Sequence, residues 1–419
     1  MKTADLHQLF LNQKQNFTTD TRKITQGAIF FALKGDNFNG NTFAKTALEN
    51  GAAYVVIDEE AFYIDERTIL VKNVLETLQH LAHFHREYLG IPIIALTGSN
   101  GKTTTKELIR EVLATQYKVN ATVGNLNNHI GVPLTLLNMT PETEMGVVEM
   151  GANHLKEIQY LCFIAAPNFG YITNFGKAHL EGFGSEEGII QGKSEMYDYI
   201  ANAEGKAFVN QEEKRMVEQA EYCECIYINP HETPLLELTP YVQLAHKGDV
   251  IQSNLIGKYN YNNIIAAIAI GHYFNISDNN IKKAIENYKP ENNRSQIIKR
   301  GNTHIILDAY NANPTSMSAA LENMNALNKS RKAVILGDMF ELGTTSNEEH
   351  KNIVSKALES NFGTSIFVGQ NFYQQKNNKA FFFASFDDLK NNFDFDFSNT
   401  TLLIKGSRGM ALERVLDIL

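Results

Sequence analysis

The sequence predicts an α/β protein of three domains built on mostly parallel sheets. Three observations carry this expectation. Short apolar runs alternate with helically spaced segments along the whole chain. In the last third, each apolar run is followed directly by polar or Gly residues: Asp308, Gly337-Asp338, Gly369 and Lys405-Gly406-Ser407. Ligands of open parallel sheets bind at those strand ends. The chain has 419 residues, and at about 150 residues per domain this suggests two to four domains.

Composition narrows the class. Hydrophobic residues make up 43% of the chain, enough for more than one core, so wholesale disorder is excluded. Lys and Arg number 38 against 47 Asp and Glu. That acidic balance argues against a protein that wraps nucleic acid, which needs excess positive charge. The 3 Cys cannot form a disulfide framework. No segment reaches the roughly 18 apolar residues that span a bilayer, and residues 1–10 lack an apolar signal core. The expectation is a soluble, cytoplasmic protein with no membrane or nucleic-acid partner.

The elements follow in order. In the first region, residues 28–33, 52–57 and 68–71 read as strands, and 42–48 and 74–88 have helical spacing. Leu89-Gly90-Ile91-Pro92 breaks the pattern. Residues 93–96 read as a buried strand, then a Gly-rich turn and a helix through residue 114. Residues 146–148, 169–173 and 207–209 read as strands of the same sheet, and 230–250 are too mixed to assign. Helices are expected over 263–274 and 281–288, with Pro290-Glu291-Asn292-Asn293 as linker. In the last region, 305–307, 333–336, 366–368 and 402–404 read as strands. A helix over 316–327 places Met317, Ala320, Leu321, Met324 and Leu327 on one face. The Asn- and Phe-rich patch at 381–397 reads as strand and turn material. The expected domains are 1–89, 90–290 and 291–419, the last Rossmann-like.

One motif carries chemistry by itself. Thr97-Gly98-Ser99-Asn100-Gly101-Lys102-Thr103-Thr104-Thr105 follows a predicted strand and opens a predicted helix. Gly residues there let the backbone approach an anion, the amides and helix dipole stabilise it, and Lys adds a point charge. The hydroxyl of Thr103 is placed to reach a magnesium ion. The loop is shorter than the usual Walker pattern, because Leu96 stands where that pattern has its first Gly.

Other residues are ambiguous alone. Glu149 closes a predicted strand, where a carboxylate could hold phosphate-bound magnesium or be merely solvated. A lone His179 is more often structural than a ligand, and a lone Lys193 is usually on the surface. His80, His83 and His85 share a helix without a fourth ligand nearby and read as a solvated face. Cys223 and Cys225 lack a second pair and read as strand-edge packing.

Together these segments resemble the Mur ligase family. The phosphate loop, the Glu149 segment, Asn174 to Glu181 and Gly192-Lys193-Ser194-Glu195 recur there in this order. Gly257-Lys258-Tyr259-Asn260-Tyr261-Asn262-Asn263 resembles the family's adenine-side segment, with Tyr259 where the family usually has His. Asp308-Ala309-Tyr310-Asn311-Ala312-Asn313-Pro314, Gly337-Asp338-Met339-Phe340-Glu341-Leu342-Gly343 and Lys405-Gly406-Ser407-Arg408 are similar to C-terminal signatures of the branch that adds D-alanyl-D-alanine to UDP-N-acetylmuramoyl-tripeptide. Asp20-Thr21-Arg22 and the Gly27-to-Leu33 run look like the family's UDP-binding start.

The resemblance implies an ATP-dependent amide ligase of peptidoglycan precursor synthesis, working through an acyl phosphate, with an N-terminal UDP-binding domain. ATP and two magnesium ions are implied. Gly98 to Thr104 would cradle the phosphates, with Lys102 supplying charge, and Asn260 and Asn263 would lie on the adenine side. Thr103 and Glu149 would hold one magnesium, and His179 and a carbamylated Lys193 the second. Arg294, Asp308, Tyr310, Asn311 and Asn313 would complete the ATP site across a domain interface. Thr21 and Arg22 would bind the UDP end, and Lys405, Ser407 and Arg408 the D-alanyl-D-alanine carboxylate or a closing contact. A hinge near 288–293 would let the domains close and exclude water. The chain is expected to act as a monomer. Two alternatives stay open: a related ligase with another acceptor, such as one like folylpolyglutamate synthase, and a P-loop ATPase without ligase activity.

Overall fold

Four short parallel strands build the N-terminal sheet, in the order Phe17–Thr18, Ile29–Phe31, Tyr54–Ile57 and Thr68–Leu70. The computed structural model describes residues 1–419 except Asn292 and Asn361. After the fourth strand comes the helix Val74–Leu89, started by the Asn73 side chain, which accepts the Glu76 N–H. Val74, Leu78, Leu81 and Ala82 repeat at helical spacing and are fully buried. They pack into one continuous apolar cluster with Val132, Leu136, Ile158 and Leu161 of the next region. Burying a Leu side chain stabilises by about 2 kcal/mol, so Leu78 and Leu81 fasten the N-terminal unit to its neighbour. The chain turns at 89–92, but the core does not stop there.

The same helix corrects one expectation. His80 is exposed, but His85 is fully buried. Its Nε2–H donates to the Met139 carbonyl at 2.8 Å, and its Nδ1 accepts from His7 Nε2 at 2.9 Å. Helical phase put a polar residue on the inward face, and a neighbouring His and a carbonyl satisfy it. Burial pushes both imidazoles down, His7 to about 4 with His85 adding to the effect. A base held below its ordinary 6.5 is neutral in the fold and protonates more readily unfolded. This contribution is therefore intact above about 6.5 and is lost as pH falls toward 4. Thermal melts from pH 7 to 4 should show a smaller fall in Tm for His7→Leu than for the parent chain.

The central sheet has six parallel strands in the order Glu224–Ile228, Lys206–Asn210, Phe169–Ile172, Ile93–Thr97, Met145–Glu149 and Val119–Ala121. Ile93–Thr97 lies between Phe169–Ile172 and Met145–Glu149, so three strand ends converge at one crevice. The unassigned segment 230–250 contributes most of a small antiparallel sheet, Leu235–Glu237, Gln243–His246 and Asp249–Gln252. The helix expected at 263 begins earlier, as Lys258–Tyr273, and packs against the helix Lys102–Leu113.

The C-terminal sheet has the order Gln296–Arg300, Thr303–Asp308, Thr401–Lys405, Lys332–Gly337, Thr364–Val368 and Phe381–Phe383. The first strand is antiparallel to the second and the rest are parallel. The last parallel strand inserts beside the first, which sets Lys405 next to Asp308. The helix Pro314–Ala326 starts with a capping box between Asn313 and Ser316. The 381–397 patch also holds a helix, Phe386–Asn391, capped by Ser385, which strand and turn readings missed. Of the linker at 290–293, Asn292 lies outside the described residues. No helix among the described residues is long and apolar enough to cross a membrane.

Candidate active site

The phosphate loop leaves the buried end of Ile93–Thr97. Gly98 has φ +137°, and a Cβ there would lie 2.0 Å from Thr173 Oγ1, so only Gly fits. The neighbouring strand end holds the loop in shape. Thr173 Oγ1 donates to the Asn100 carbonyl at 2.6 Å, Asn174 Oδ1 accepts the Asn100 N–H at 3.2 Å, and Ser99 Oγ donates to Gly176 O at 2.6 Å. The helix Lys102–Leu113 then begins without a side-chain cap. Among the described residues no side chain caps the amides of its first turn, an arrangement that suits an anion.

These groups line a cavity of about 960 Å³ between the central and C-terminal units. Lys102 Nζ folds back onto Gly98 O at 2.7 Å. Burial holds its proton affinity below the ordinary value, Glu149 opposes that, and the Arg294 guanidinium adds to it. Glu149 is buried; one oxygen accepts from Asn127 Nδ2 at 2.9 Å, while Oε2 has no partner among the described residues. A buried, unpaired carboxylate oxygen beside a phosphate loop suits a hard cation. Asn127 was not anticipated. Its signal was the Asn-rich run from Gly124 to Gly131, which has neither strand nor helix period.

The C-terminal unit meets this wall directly. Asn313 Nδ2 donates to Asn100 Oδ1 at 2.7 Å. The Lys177 N–H donates to Thr315 Oγ1 at 2.9 Å, and its ammonium lies 3.2 Å from Glu349. His179 lines the cavity and pairs through Nδ1 with Glu341, whose carboxyl it holds below the usual range. Glu341 lies in the Gly337-to-Gly343 segment, but its pairing across the interface is visible only in three dimensions. The Arg294 guanidinium stacks 3.6 Å from the centre of the Tyr310 ring.

Several expected residues are placed differently from one another. Asn260 and Asn263 line the cavity, but their amides are largely engaged with each other and with Thr105 and Ile256. They brace the phosphate-loop helix. Lys405 is buried; its ammonium donates to Asp308 Oδ2 at 2.6 Å and to Asn311 O at 3.1 Å. Ser407 is buried off the cavity, accepting the Phe340 N–H at 2.9 Å. Arg408 is exposed and paired with Glu413 at 2.8 Å. Thr21 and Arg22 lie outside the cavity, and Arg22 is paired with Asp20. Lys193 stands just behind the wall, fully buried, with Nζ 3.0 Å from Ala152 O and 4.9 Å from the Phe183 ring centre. Away from the site, His246, His272 and Asp278 converge, but Lys247 already lies 3.2 Å from the same carboxylate oxygen.

Fold and site together define a three-part protein of the P-loop nucleotide-binding class, with its site between two α/β units. Residues 15–86 match the Mur ligase family, catalytic domain; residues 96–271 the Mur ligase middle domain; and residues 293–394 the Mur ligase, glutamate ligase domain. The chain belongs to the Mur ligase family.

It is 35% identical to the UDP-N-acetylmuramoyl-tripeptide–D-alanyl-D-alanine ligase of Bacillus subtilis, covering 95% of this chain and 91% of the relative. The Escherichia coli protein of that name is 32% identical, over 96% of this chain and 93% of its own. Among solved structures, MurF from Acinetobacter baumannii matches with a TM-score of 0.85 at 29% identity, over 98% of this chain and 97% of that one. MurF ligase from Thermotoga maritima in complex with ADP matches at 0.84 and 25% identity, over 97% of each.

Proposed function

We propose that the chain joins D-alanyl-D-alanine to UDP-N-acetylmuramoyl-tripeptide at the expense of ATP, giving the pentapeptide, ADP and phosphate. Beside its relatives, one observation carries this reading. Lys102 and Arg294 reach a single cavity from different units, where Glu149 keeps an unpaired oxygen. Two cations and an orphaned carboxylate suit a magnesium-bound polyphosphate.

A carboxylate is a poor acyl donor until it is phosphorylated. Its oxygen attacks the γ-phosphorus and ADP leaves. The amine of the dipeptide then attacks the acyl carbon, phosphate departs with the bonding electrons, and the nitrogen gives up one proton to the departing phosphate or to solvent. Lys102, Arg294 and the first-turn amides would offset charge while the phosphoryl group is in flight. Glu149 and Thr103 would hold one magnesium, and His179 and a carbamylated Lys193 a second. The bound ions would neutralise phosphate oxygens. Asn260 and Asn263 keep the loop helix in place on the adenine side, and Asp308 and Asn311 line the opposite wall. Thr21 and Arg22 would take the UDP end. Arg408 would reach the dipeptide carboxylate after leaving Glu413, with Lys405 and Ser407 shaping the adjoining loops. The units 1–89, 90–290 and 291–419 would act together as a monomer in the cytoplasm. Closure about 288–293 would shield the acyl phosphate from water.

The test is phosphate release from ATP with UDP-N-acetylmuramoyl-tripeptide, with and without D-alanyl-D-alanine. Release should require both substrates and magnesium, with pentapeptide as product. Equal release without the dipeptide would leave an ATPase and end the ligase reading.

A further inference from the structure

Asn293 and Ser295, on either side of Arg294, both have left-handed backbone, with φ +58° and +52°. A non-Gly residue pays for that conformation, and it persists where its surroundings over-determine it. Ser295 is buried and held at two points. Its N–H donates to Asp308 Oδ1 at 3.1 Å, and its Oγ shares a 2.7 Å hydrogen bond with the Tyr259 hydroxyl. Asp308 is itself fixed by Lys405 at 2.6 Å. Tyr259 belongs to the central unit, at the start of Lys258–Tyr273, so the bond crosses between units. Gly257 makes room for it: φ is +86°, and a Cβ there would lie 2.6 Å from Tyr259 Cε1.

We infer that Tyr259 is a positioning residue, whose hydroxyl clamps Ser295 in the left-handed conformation that aims Arg294 along Tyr310 into the cavity. The inference rests on the nucleotide reading of this cavity, with Arg294 meeting the phosphates. Burial pushes the phenol's pKa up, so the hydroxyl keeps its proton at any working pH. The clamp pre-sets one half of the site from the other before nucleotide arrives, and losing it lowers the binding-competent fraction.

The test uses the full-length chain, with ADP affinity by calorimetry and KM for ATP. Tyr259→Phe and Ser295→Ala each remove one hydrogen bond and should weaken ADP and raise KM for ATP about fivefold. KM for UDP-N-acetylmuramoyl-tripeptide should move less. The double variant should be no worse than either single. Ser295→Gly also loses the bond, but Gly adopts positive φ freely, so it should stay within about twofold of the parent. Unchanged ADP affinity in Tyr259→Phe, or equal losses in Ser295→Gly and Ser295→Ala, overturns the inference. If Tyr259→Phe fails to fold, the two Ser295 variants decide it. If phosphate release proves independent of D-alanyl-D-alanine, the ligase reading falls while the ADP measurements still judge Tyr259.

Discussion

Lys102→Ala is expected to cut acceptor-dependent phosphate release by about a hundred- to a thousandfold, the range seen when one preorganised charge-stabilising donor is removed. Lys102 begins the helix after Gly101, and its ammonium rests on carbonyls of its own loop, 2.7 Å from Gly98 O. A polyphosphate would draw the ammonium off the carbonyls, and its charge would offset burial, which holds the proton affinity of Lys102 down. Without Lys102, Arg294 is left to face the polyanion from the other unit. Lys102→Arg is not a conservative control, because a planar fork does not occupy the place of a compact ammonium. The measurement is initial rate at saturating ATP together with ADP affinity. A rate within about threefold of the parent would move the phosphate site away from this loop.

Lys193→Ala should lose activity on a similar scale and regain part of it with formate. Lys193 is fully buried on the helix Glu186–Asn202 and has one carbonyl partner, Ala152 O at 3.0 Å. Burial lowers its proton affinity well below the ordinary value; Lys102 adds to this, while Glu157 and Glu195 oppose it. A neutral buried amine is the form that reacts with carbon dioxide. The resulting carbamate, formed with release of one proton, would replace that amine with an anionic oxygen ligand beside the cavity wall. Formate, a small carboxylate, could fill the space vacated by Ala and supply such oxygens. The checks are rate against formate concentration and a carbamate carbon signal in labelled bicarbonate. A merely structural Lys193 would show a lower Tm, no rescue and no carbamate signal.

Ile93–Thr97 and Met145–Glu149 are fully buried strands whose apolar runs end in chemically distinctive residues, so both strands were readable, and the residues at their ends line one cavity. Val119–Ala121 is a half-buried edge strand with Asn120 in its centre, and nothing in its composition marks it. Leu235–Glu237 and Asp249–Gln252 are largely exposed, which erased their alternation. His85 was misread because its satisfying groups, His7 and Met139, are far away in sequence. The loop Gly98 to Lys102 was legible because one contiguous segment carries the whole pattern between a strand and a helix. Asn127 on Glu149, Glu341 on His179 and Tyr259 on Ser295 are pairings between distant segments, and single-sequence periodicity holds no record of them.

The shared core of the first two units has a consequence for synthesis. The helix Val74–Leu89 leaves the ribosome well before the helices Gly131–Leu137 and Glu157–Ala165, against which it packs. Chains emerge at about 5–20 residues per second, so the face of that helix turned to the next region stays uncovered for several seconds. The N-terminal unit is therefore expected to reach its full stability only after the next region has emerged. The helix Glu157–Ala165 then completes the apolar cluster around Leu78 and Leu81.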